Sequence, residues 1–196
     1  VDRATFTIGS VIAGNGELVI NNPGLIGGPL GSVQLSGRNT YTGNTTLLGG
    51  TLKLGTASGS SFFTGSYSAL GRNTALLING GTLDLNGFNQ TVSTVTVNSL
   101  GGSIINSVGT KTLTATDFTF NNTSSLNVSA ILGGSGASLN QRGSGTTTLS
   151  GANTYTGATT INLGANVILS GSGRLSNSSS VQLDGTLDLQ VNSVTL

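Results

Sequence analysis

The side chains of this sequence best suited to acid–base chemistry are its six carboxylates. The chain has no His and no Cys, which excludes Ser–His triads, thiolate nucleophiles and imidazole metal ligands. A site that cleaves polysaccharides would instead need several carboxylates close together, often with a basic residue or a metal. The candidates are Asp2, Glu17, Asp84, Asp117, Asp184 and Asp188.

Two of these carboxylates occupy equivalent places in related segments. Asp84 lies in GGTLDLNG (residues 80–87) and Asp188 in DGTLDLQV (residues 184–191). Each Asp stands between two leucines, so a strand that turns the leucines inward turns the Asp outward. We therefore expect both to be exposed at a structural position of the repeat rather than in an active site. Asp184 and Asp188 would lie on adjacent strands or around one corner, where a weak ion site stays possible.

The glycine-rich motifs of the chain do not form recognised ligand loops. GGTLDLNGF superficially resembles the calcium-binding nonapeptide G-G-x-G-x-D-x-U-x, but Asp84 comes one residue early and Leu83 stands at the motif's fourth position, where a glycine is required. Nothing in the chain matches the phosphate loop G-x-x-x-x-G-K-[ST]. The sequence predicts no catalytic residue, no cofactor-binding residue and no metal ligand.

Aromatic residues are the candidates for sugar or partner contacts. Tyr41 and Tyr155 could stack on a sugar, but they recur at the same place in a repeated motif, which favours a packing or corner role. Phe62, Phe63 and Tyr67 lie in an irregular segment. If they are exposed they form a contact surface; the alternative is a loop packed over the flank of the fold.

The charges of the chain exclude two further classes of partner. Only 7% of residues are charged, the net charge is +1, and the basic residues are scattered singly, whereas nucleic-acid binding needs clustered cations. No apolar run reaches the ~18 residues of a membrane helix. Hydrophobic residues still make up 35% of the chain at regular short intervals, which indicates a folded protein. The basic residues are Arg3, Arg38, Lys53, Arg72, Lys111, Arg142 and Arg174.

A long internal repeat organises the sequence. Residues 35–55 read LSGRNTYTGNTTLLGGTLKLG, and residues 149–169 read LSGANTYTGATTINLGANVIL. The shared core is LSG-x-NTYTG-x-TT. The chain is therefore an array of similar units, which places its architecture among the repeat folds.

Apolar residues two positions apart recur through most of the chain between turns rich in Gly, Asn and Ser. This pattern is typical of short half-buried strands, and no helical period covers a comparable length. Residues 21–31, which contain both prolines, and residues 56–72 interrupt the rhythm as loops. The predicted inward pairs are 33/35, 45/47, 52/54, 76/78, 83/85, 95/97, 118/120, 126/128, 147/149, 159/161, 167/169, 181/183, 187/189 and 194/196, with Leu113 single.

Short strands, recurring sequence and the lack of a regularly placed hairpin turn favour an all-β fold, a parallel β-helix of about eight coils of about 20 to 25 residues. Asn and Thr would stack as ladders at its corners, and Gly would supply the turns. We expect one array over residues 1–196, with a less regular entry (1–31), a first repeat unit (32–103), looser coils (104–143) and a second repeat unit (144–196).

These motifs carry a family resemblance. LSG-x-NTYTG-x-TT followed by GGTLKLG resembles the autotransporter-associated β-strand repeat of bacterial surface proteins, and residues 76–92 are similar to its downstream part. The resemblance covers roughly residues 33–97 and 145–189, and the stretch 104–142 matches more loosely. The second copy departs from the pattern at residues 162–167, where it has one extra residue.

The resemblance implies a right-handed β-helical passenger of a Gram-negative autotransporter, displayed outside the outer membrane and without enzymatic activity. The last residues read as an ordinary strand, so we expect a fragment of a longer chain or a module completed by a neighbour. Three functions stay open: a rigid surface rod that displays adhesive parts or assembles end to end, a carbohydrate-active enzyme, and a binder of a host surface or polysaccharide acting through the Phe62–Tyr67 loop.

Overall fold

A computed structural model describes residues 5–22, 31–61, 65–175 and 178–190, and every regular element in these ranges is a β-strand. The strands are short because Gly, Asn or Ser turns end each apolar pair within a few residues. They are β1 Thr5–Ile8, β2 Leu18–Asn21, β3 Ser32–Leu35, β4 Thr45–Gly49, β5 Thr51–Leu54, β6 Gly59–Ser61, β7 Gly65–Tyr67, β8 Leu76–Ile78, β9 Thr82–Asp84, β10 Gln90–Thr91, β11 Thr94–Val97, β12 Gly102–Ile105, β13 Thr112–Thr114, β14 Asp117–Phe120, β15 Leu126–Val128, β16 Ile131–Gly133, β17 Ser138–Gln141, β18 Thr146–Leu149, β19 Thr159–Ile161, β20 Asn166–Ser170, β21 Val181–Leu183 and β22 Thr186–Gln190.

These strands stack into parallel sheets. One sheet has nine strands in the order β1-β3-β5-β9-β12-β15-β18-β20-β22, and a second has eight in the order β2-β4-β8-β11-β14-β17-β19-β21. A third, of β10, β13 and β16, covers the middle coils. Successive strands pass from one sheet to the other, so each turn of the chain adds one rung to both. The fold is a parallel β-solenoid of about seven turns, close to the predicted eight.

The strand register builds continuous apolar columns inside the solenoid. One column of the nine-stranded sheet is apolar on every rung. Burying one such side chain stabilises the fold by about 1.5–3 kcal/mol, so a column stabilises the stack rung by rung. The members of this column are Phe6, Val33, Leu52, Leu83, Ile104, Val128, Leu149, Leu169 and Leu189.

The predicted inward pairs are buried through the middle of the stack, from Leu35 to Leu169. At the two ends of the described stack the same columns are exposed to solvent. Phe6 is 68% exposed, Leu183 51% and Leu189 45%, because no further rung covers them among the described residues. The predicted pair 194/196 lies outside those residues.

The segment 56–72 departs from the solenoid rhythm, as the sequence predicts. It contains an antiparallel hairpin, β6 with β7, and an antiparallel bridge between Asn39 and Ser68. Phe62 and Phe63 lie outside the described residues, as does most of the proline-containing loop (23–30). The hairpin is therefore an addition to the parallel coils rather than one of them.

The extra residue of the second repeat is absorbed in a turn. Leu163 is 87% exposed, and Gly164 has a φ of +82°, which a glycine adopts without steric cost. In the first copy Gly50, with a φ of +79°, makes the corresponding turn. β18 and β20 still pair without a register shift, so the coil is preserved.

Candidate functional site

The repeated asparagine of the motif is buried, and its side-chain amide hydrogen-bonds to the coils on either side; we call this arrangement a bracket. The Asn39 Oδ1 accepts a hydrogen bond from the Ile12 backbone N–H at 2.9 Å, and its Nδ2 donates to the Ala69 carbonyl at 2.7 Å. Asn39 is fully buried. One amide thereby satisfies backbone groups of the coils on either side, which are groups that cost free energy when buried without partners.

Asn153 makes the same bracket in the second copy. Its Oδ1 accepts from the Leu132 N–H at 3.0 Å, and its Nδ2 donates to the Arg174 carbonyl at 3.4 Å. Asn39 and Asn153 are both buried. The asparagine of NTYTG is therefore a structural residue that fastens three successive layers.

The repeated tyrosines are also buried. Tyr41 and Tyr155 are each 1% exposed, and their hydroxyls share hydrogen bonds with Thr45 (2.6 Å) and Thr159 (2.8 Å). Burial raises the pKa of both tyrosines to about 12, although the threonine hydrogen bonds act in the opposite direction. The packing interpretation is confirmed, and these rings cannot stack on a sugar.

A ladder of asparagines runs along another corner, as the sequence predicts. Asn79, Asn98 and Asn121 each follow the last residue of a strand in the eight-stranded sheet. The Asn98 Nδ2 donates a hydrogen bond to the Asn79 Oδ1. Side-chain amides thus continue the stacking where the strand ladder ends.

The expectation that Asp84 is exposed is wrong. Its flanking leucines are in the core as predicted, yet Asp84 itself is only 3% exposed. Its Oδ1 accepts from the Asn86 and Ser107 backbone N–H groups, both at 2.9 Å, and its Oδ2 accepts from the Ser107 Oγ at 2.7 Å. The following coil covers the carboxylate. Asp188, at the same place in the second segment, is exposed as expected.

Asp117 is half-buried and held by its neighbours on the outer face of the eight-stranded sheet. It accepts hydrogen bonds from Thr119 Oγ1 at 2.6 Å, from Asn140 Nδ2 at 2.9 Å and from Ser138 Oγ. Its acceptor positions are therefore used within the protein. The arrangement is that of a structural carboxylate tying adjacent rungs together.

The other described carboxylates do not converge. Glu17 is exposed and accepts from the Thr46 hydroxyl, while Asp184 and Asp188 are exposed and accept from glutamine side chains two residues away. Within the described ranges no three carboxylates form a group that could hold a metal ion. Asp2 lies outside those ranges.

A cavity of about 540 Å³ lies beside the β6–β7 hairpin. Tyr67 and Arg72 are half-buried in its wall, and Ser66, Asn73 and Thr91 are exposed at it. The Arg38 guanidinium lies 4.8 Å from the centroid of the Tyr67 ring, a cation–π contact. Of the predicted loop aromatics, Tyr67 is the one that the structure describes, and it belongs to this cavity.

The family comparison concerns the two copies of the motif. Residues 30–54 and 139–165 match the family model described as passenger-associated-transport-repeat. Each matched segment contains one copy of the LSG-x-NTYTG-x-TT motif. This confirms the resemblance to the repeats of autotransporter passengers. No curated protein and no solved structure matches the chain. The described residues form no helix long and apolar enough to cross a membrane.

The two segments that match the family model contain the buried Asn and Tyr corners but not the cavity. Both Asn–Tyr–Thr corners lie inside the matched segments, whereas every residue that lines the cavity lies outside them. Sequence reasoning missed Arg72 as a cavity residue, although it ends the irregular segment that the sequence marks. It also missed Gln90, which is 1% exposed beneath the hairpin and has no distinguishing pattern.

Proposed function

We propose that this chain is a non-catalytic segment of a passenger protein on the surface of a Gram-negative bacterium, where its solenoid acts as a rigid rod. The repeat family and the parallel β-solenoid support this proposal. The main support for the proposal is that the polar side chains of the motif hydrogen-bond within the solenoid. In both copies, Asn, Tyr and Thr are buried in contacts between coils, so the motif builds a stack rather than a reacting site.

The carboxylates also favour a structural role over polysaccharide cleavage. A general acid or base must reach the bond that is cleaved. Asp84 is covered by Ser107, and Asp117 is engaged by three neighbouring side chains. Each holds adjacent rungs of the solenoid together.

Surface location is tested on intact cells of the source bacterium. Antibody raised against this chain should label unpermeabilised cells, and protease added outside should remove the label, because a displayed passenger is accessible to both. Labelling only after permeabilisation would contradict the proposal. A periplasmic protein serves as the control for intact membranes.

We further propose that the ends of the rod stack head to tail on a second copy of this chain. β1 and β22 are the outer strands of the nine-stranded sheet, so each has a backbone edge without a described neighbour. Phe6 and Leu183 expose the apolar columns at opposite ends. A second copy would continue the sheets in parallel, and a net charge of +1 offers little repulsion.

Light scattering across a concentration series tests this association. Nine strands stacked about 4.8 Å apart span about 38 Å, and each further stacked copy should lengthen the rod by about 43 Å. Phe6→Glu and Leu183→Glu should each weaken association because they place a charge in the contact. Leu163→Glu is the matched control, since Leu163 is exposed on a side turn rather than at an end. A protein that stays monomeric at high concentration would contradict stacking.

A further inference from the structure

A second cavity, of about 530 Å³, lies at the corner where the chain turns from the eight-stranded into the nine-stranded sheet. We call it the corner cavity. Among the described residues that line it there is no charged side chain. A charged ligand would lose water there without gaining a partner of opposite charge, which costs free energy. The corner cavity therefore suits a neutral ligand. It is lined by Asn79, Asn98, Ser99, Leu100 and Asn121.

The asparagine ladder in the wall of the corner cavity is only partly paired. The Asn98 Nδ2 donates a hydrogen bond to the Asn79 Oδ1. In the part of the chain that the structure describes, the Asn98 Oδ1 accepts no hydrogen bond and the Asn121 side chain makes none. All three side chains are half-buried. The ladder therefore presents an unpaired acceptor and, on the next rung, an amide whose donor and acceptor are both available.

Leu100 adds an apolar wall beside these amides. It is 68% exposed in a turn that is closed by a hydrogen bond of 2.9 Å from the Gly101 N–H to the Asn98 carbonyl. Its side chain lies next to Gly80 of the preceding rung, where a Cβ would stand 3.8 Å from both the Leu100 Cβ and its Cδ1. A ligand methyl group that covers this leucine removes apolar surface from water, which favours binding.

The backbone around the corner cavity is committed to the solenoid. The N–H groups of the three asparagines donate to carbonyls of the preceding coil at 2.7–2.8 Å, and the Ser99 carbonyl accepts from the Thr123 N–H at 3.0 Å. A peptide that adds a strand to a sheet needs unpaired backbone groups along an edge, so this corner does not suit one. The groups left for a ligand are the side-chain amides, the exposed Ser99 hydroxyl and the Leu100 side chain.

We propose that the corner cavity binds an N-acetylated sugar unit of a neutral polysaccharide through the acetamido group. That group joins one donor, one acceptor and one methyl, which is the set that the wall of the cavity complements. Its N–H donates to the Asn98 Oδ1, its carbonyl accepts from the Asn121 Nδ2, and its methyl lies against Leu100. A volume of about 530 Å³ is within the usual range for small-ligand sites, about 300–1,000 Å³. A sugar without the acetamido group leaves both amides and the leucine unused.

NMR titration of the isotope-labelled chain tests the site, because the side-chain NH₂ signals of Asn98 and Asn121 report it directly. The β-linked tetrasaccharide of N-acetylglucosamine, or an oligosaccharide carrying N-acetylgalactosamine, should shift these signals at millimolar concentration. The glucose tetrasaccharide of the same linkage and the deacetylated tetrasaccharide should bind about tenfold or more weakly, because each lacks the hydrogen bonds and the methyl contact of the acetamido group. A short end-capped peptide of Ala and Asn should leave the signals in place.

Two variants and one matched control locate the binding. Asn121→Ala should weaken it about fivefold or more, and should leave the fold intact because this side chain makes no hydrogen bond within the described residues. Leu100→Ala should weaken it about threefold or more through the lost methyl contact. Leu163→Ala is the control and should bind as the unaltered protein does, since Leu163 is 87% exposed at another turn of the same corner and does not line the cavity.

Circular dichroism checks that each variant is folded; if one of the two is not, the other decides. The proposal is overturned if no N-acetylated oligosaccharide of the panel binds at millimolar concentration, or if the glucose or deacetylated form binds equally. It is also overturned if the peptide shifts the same signals as strongly, or if Leu163→Ala weakens binding as much as Leu100→Ala. None of these outcomes bears on surface display of the rod.

Discussion

Replacing the bracket asparagine with alanine tests whether the motif holds the coils together. Asn39→Ala removes the acceptor of the Ile12 N–H and the donor to the Ala69 carbonyl. Asn153→Ala removes the acceptor of the Leu132 N–H and a longer bond, of 3.4 Å, to the Arg174 carbonyl. Alanine supplies no polar atom, so these backbone groups lose their partners inside the stack.

The size of the effect follows from the number of groups left unpaired. A buried polar group without a partner costs about 1–3 kcal/mol, so Asn39→Ala should lower the free energy of unfolding by about 2–5 kcal/mol. Asn153→Ala should cost about 1–3 kcal/mol, because its second bond is long and Arg174 is exposed. Asn127→Ala, at an exposed strand position, should change stability by less than about 0.5 kcal/mol.

Urea denaturation followed by circular dichroism measures these differences, and hydrogen exchange locates them. The amide of Ile12 should exchange faster in Asn39→Ala, and that of Leu132 should exchange faster in Asn153→Ala, because each loses its acceptor. Unchanged exchange at both amides, or a loss of stability in Asn127→Ala equal to that in Asn39→Ala, would refute the bracket.

Four further predictions concern other features of the structure. Asp84→Ala should destabilise the protein by about 1–3 kcal/mol because it removes the acceptor of three hydrogen bonds, whereas Asp188→Ala should be nearly silent. Equal thermal melts of the two variants would contradict this. Burial raises the pKa of Tyr41 and Tyr155 from 10.0 to about 12, so the tyrosines of the unfolded chain ionise first as the pH rises. The free energy of unfolding should therefore be full below pH 10 and fall between pH 10 and 12. Replacing both tyrosines by Phe should remove most of this loss, as measured by denaturation at a series of pH values. Leu52→Asp should unfold the coils around it, as seen by circular dichroism, because it places an unpaired charge in the core. EDTA should leave the melting temperature unchanged, since no group of three metal ligands occurs in the described ranges.

Most of the core could be predicted because strand periodicity is a local property. Two apolar residues separated by one polar residue fix which side of a strand faces inward. Leu52 and Leu54, like Val95 and Val97, are fully buried as that rule requires. The repeat then indicates that equivalent strands lie above one another, which turns a local pattern into stacked columns.

The environment of Asp84 could not be predicted because it depends on the next coil. Its strand gives the direction of the side chain, but Ser107, 23 residues later, supplies the cover. Asp188 has the same local sequence and is exposed in the last described strand. The shared segment GTLDL thus places one carboxylate in a hydrogen-bond network and the other in solvent, because the next coil supplies the cover at Asp84.

The position of the cavity is equally a product of contacts distant in sequence. Gln90 lies beneath a hairpin about 30 residues earlier in the chain, and it joins that hairpin to the body through Thr56 and Ser68. In a solenoid the inward and corner residues are committed to neighbouring rungs, so a change there costs stability. The exposed residues of a connection between rungs have no such constraint. The connection between β5 and β8 can therefore form a surface cavity while both Asn–Tyr corners keep the coils in register, which allows the stack and the cavity lining to vary independently.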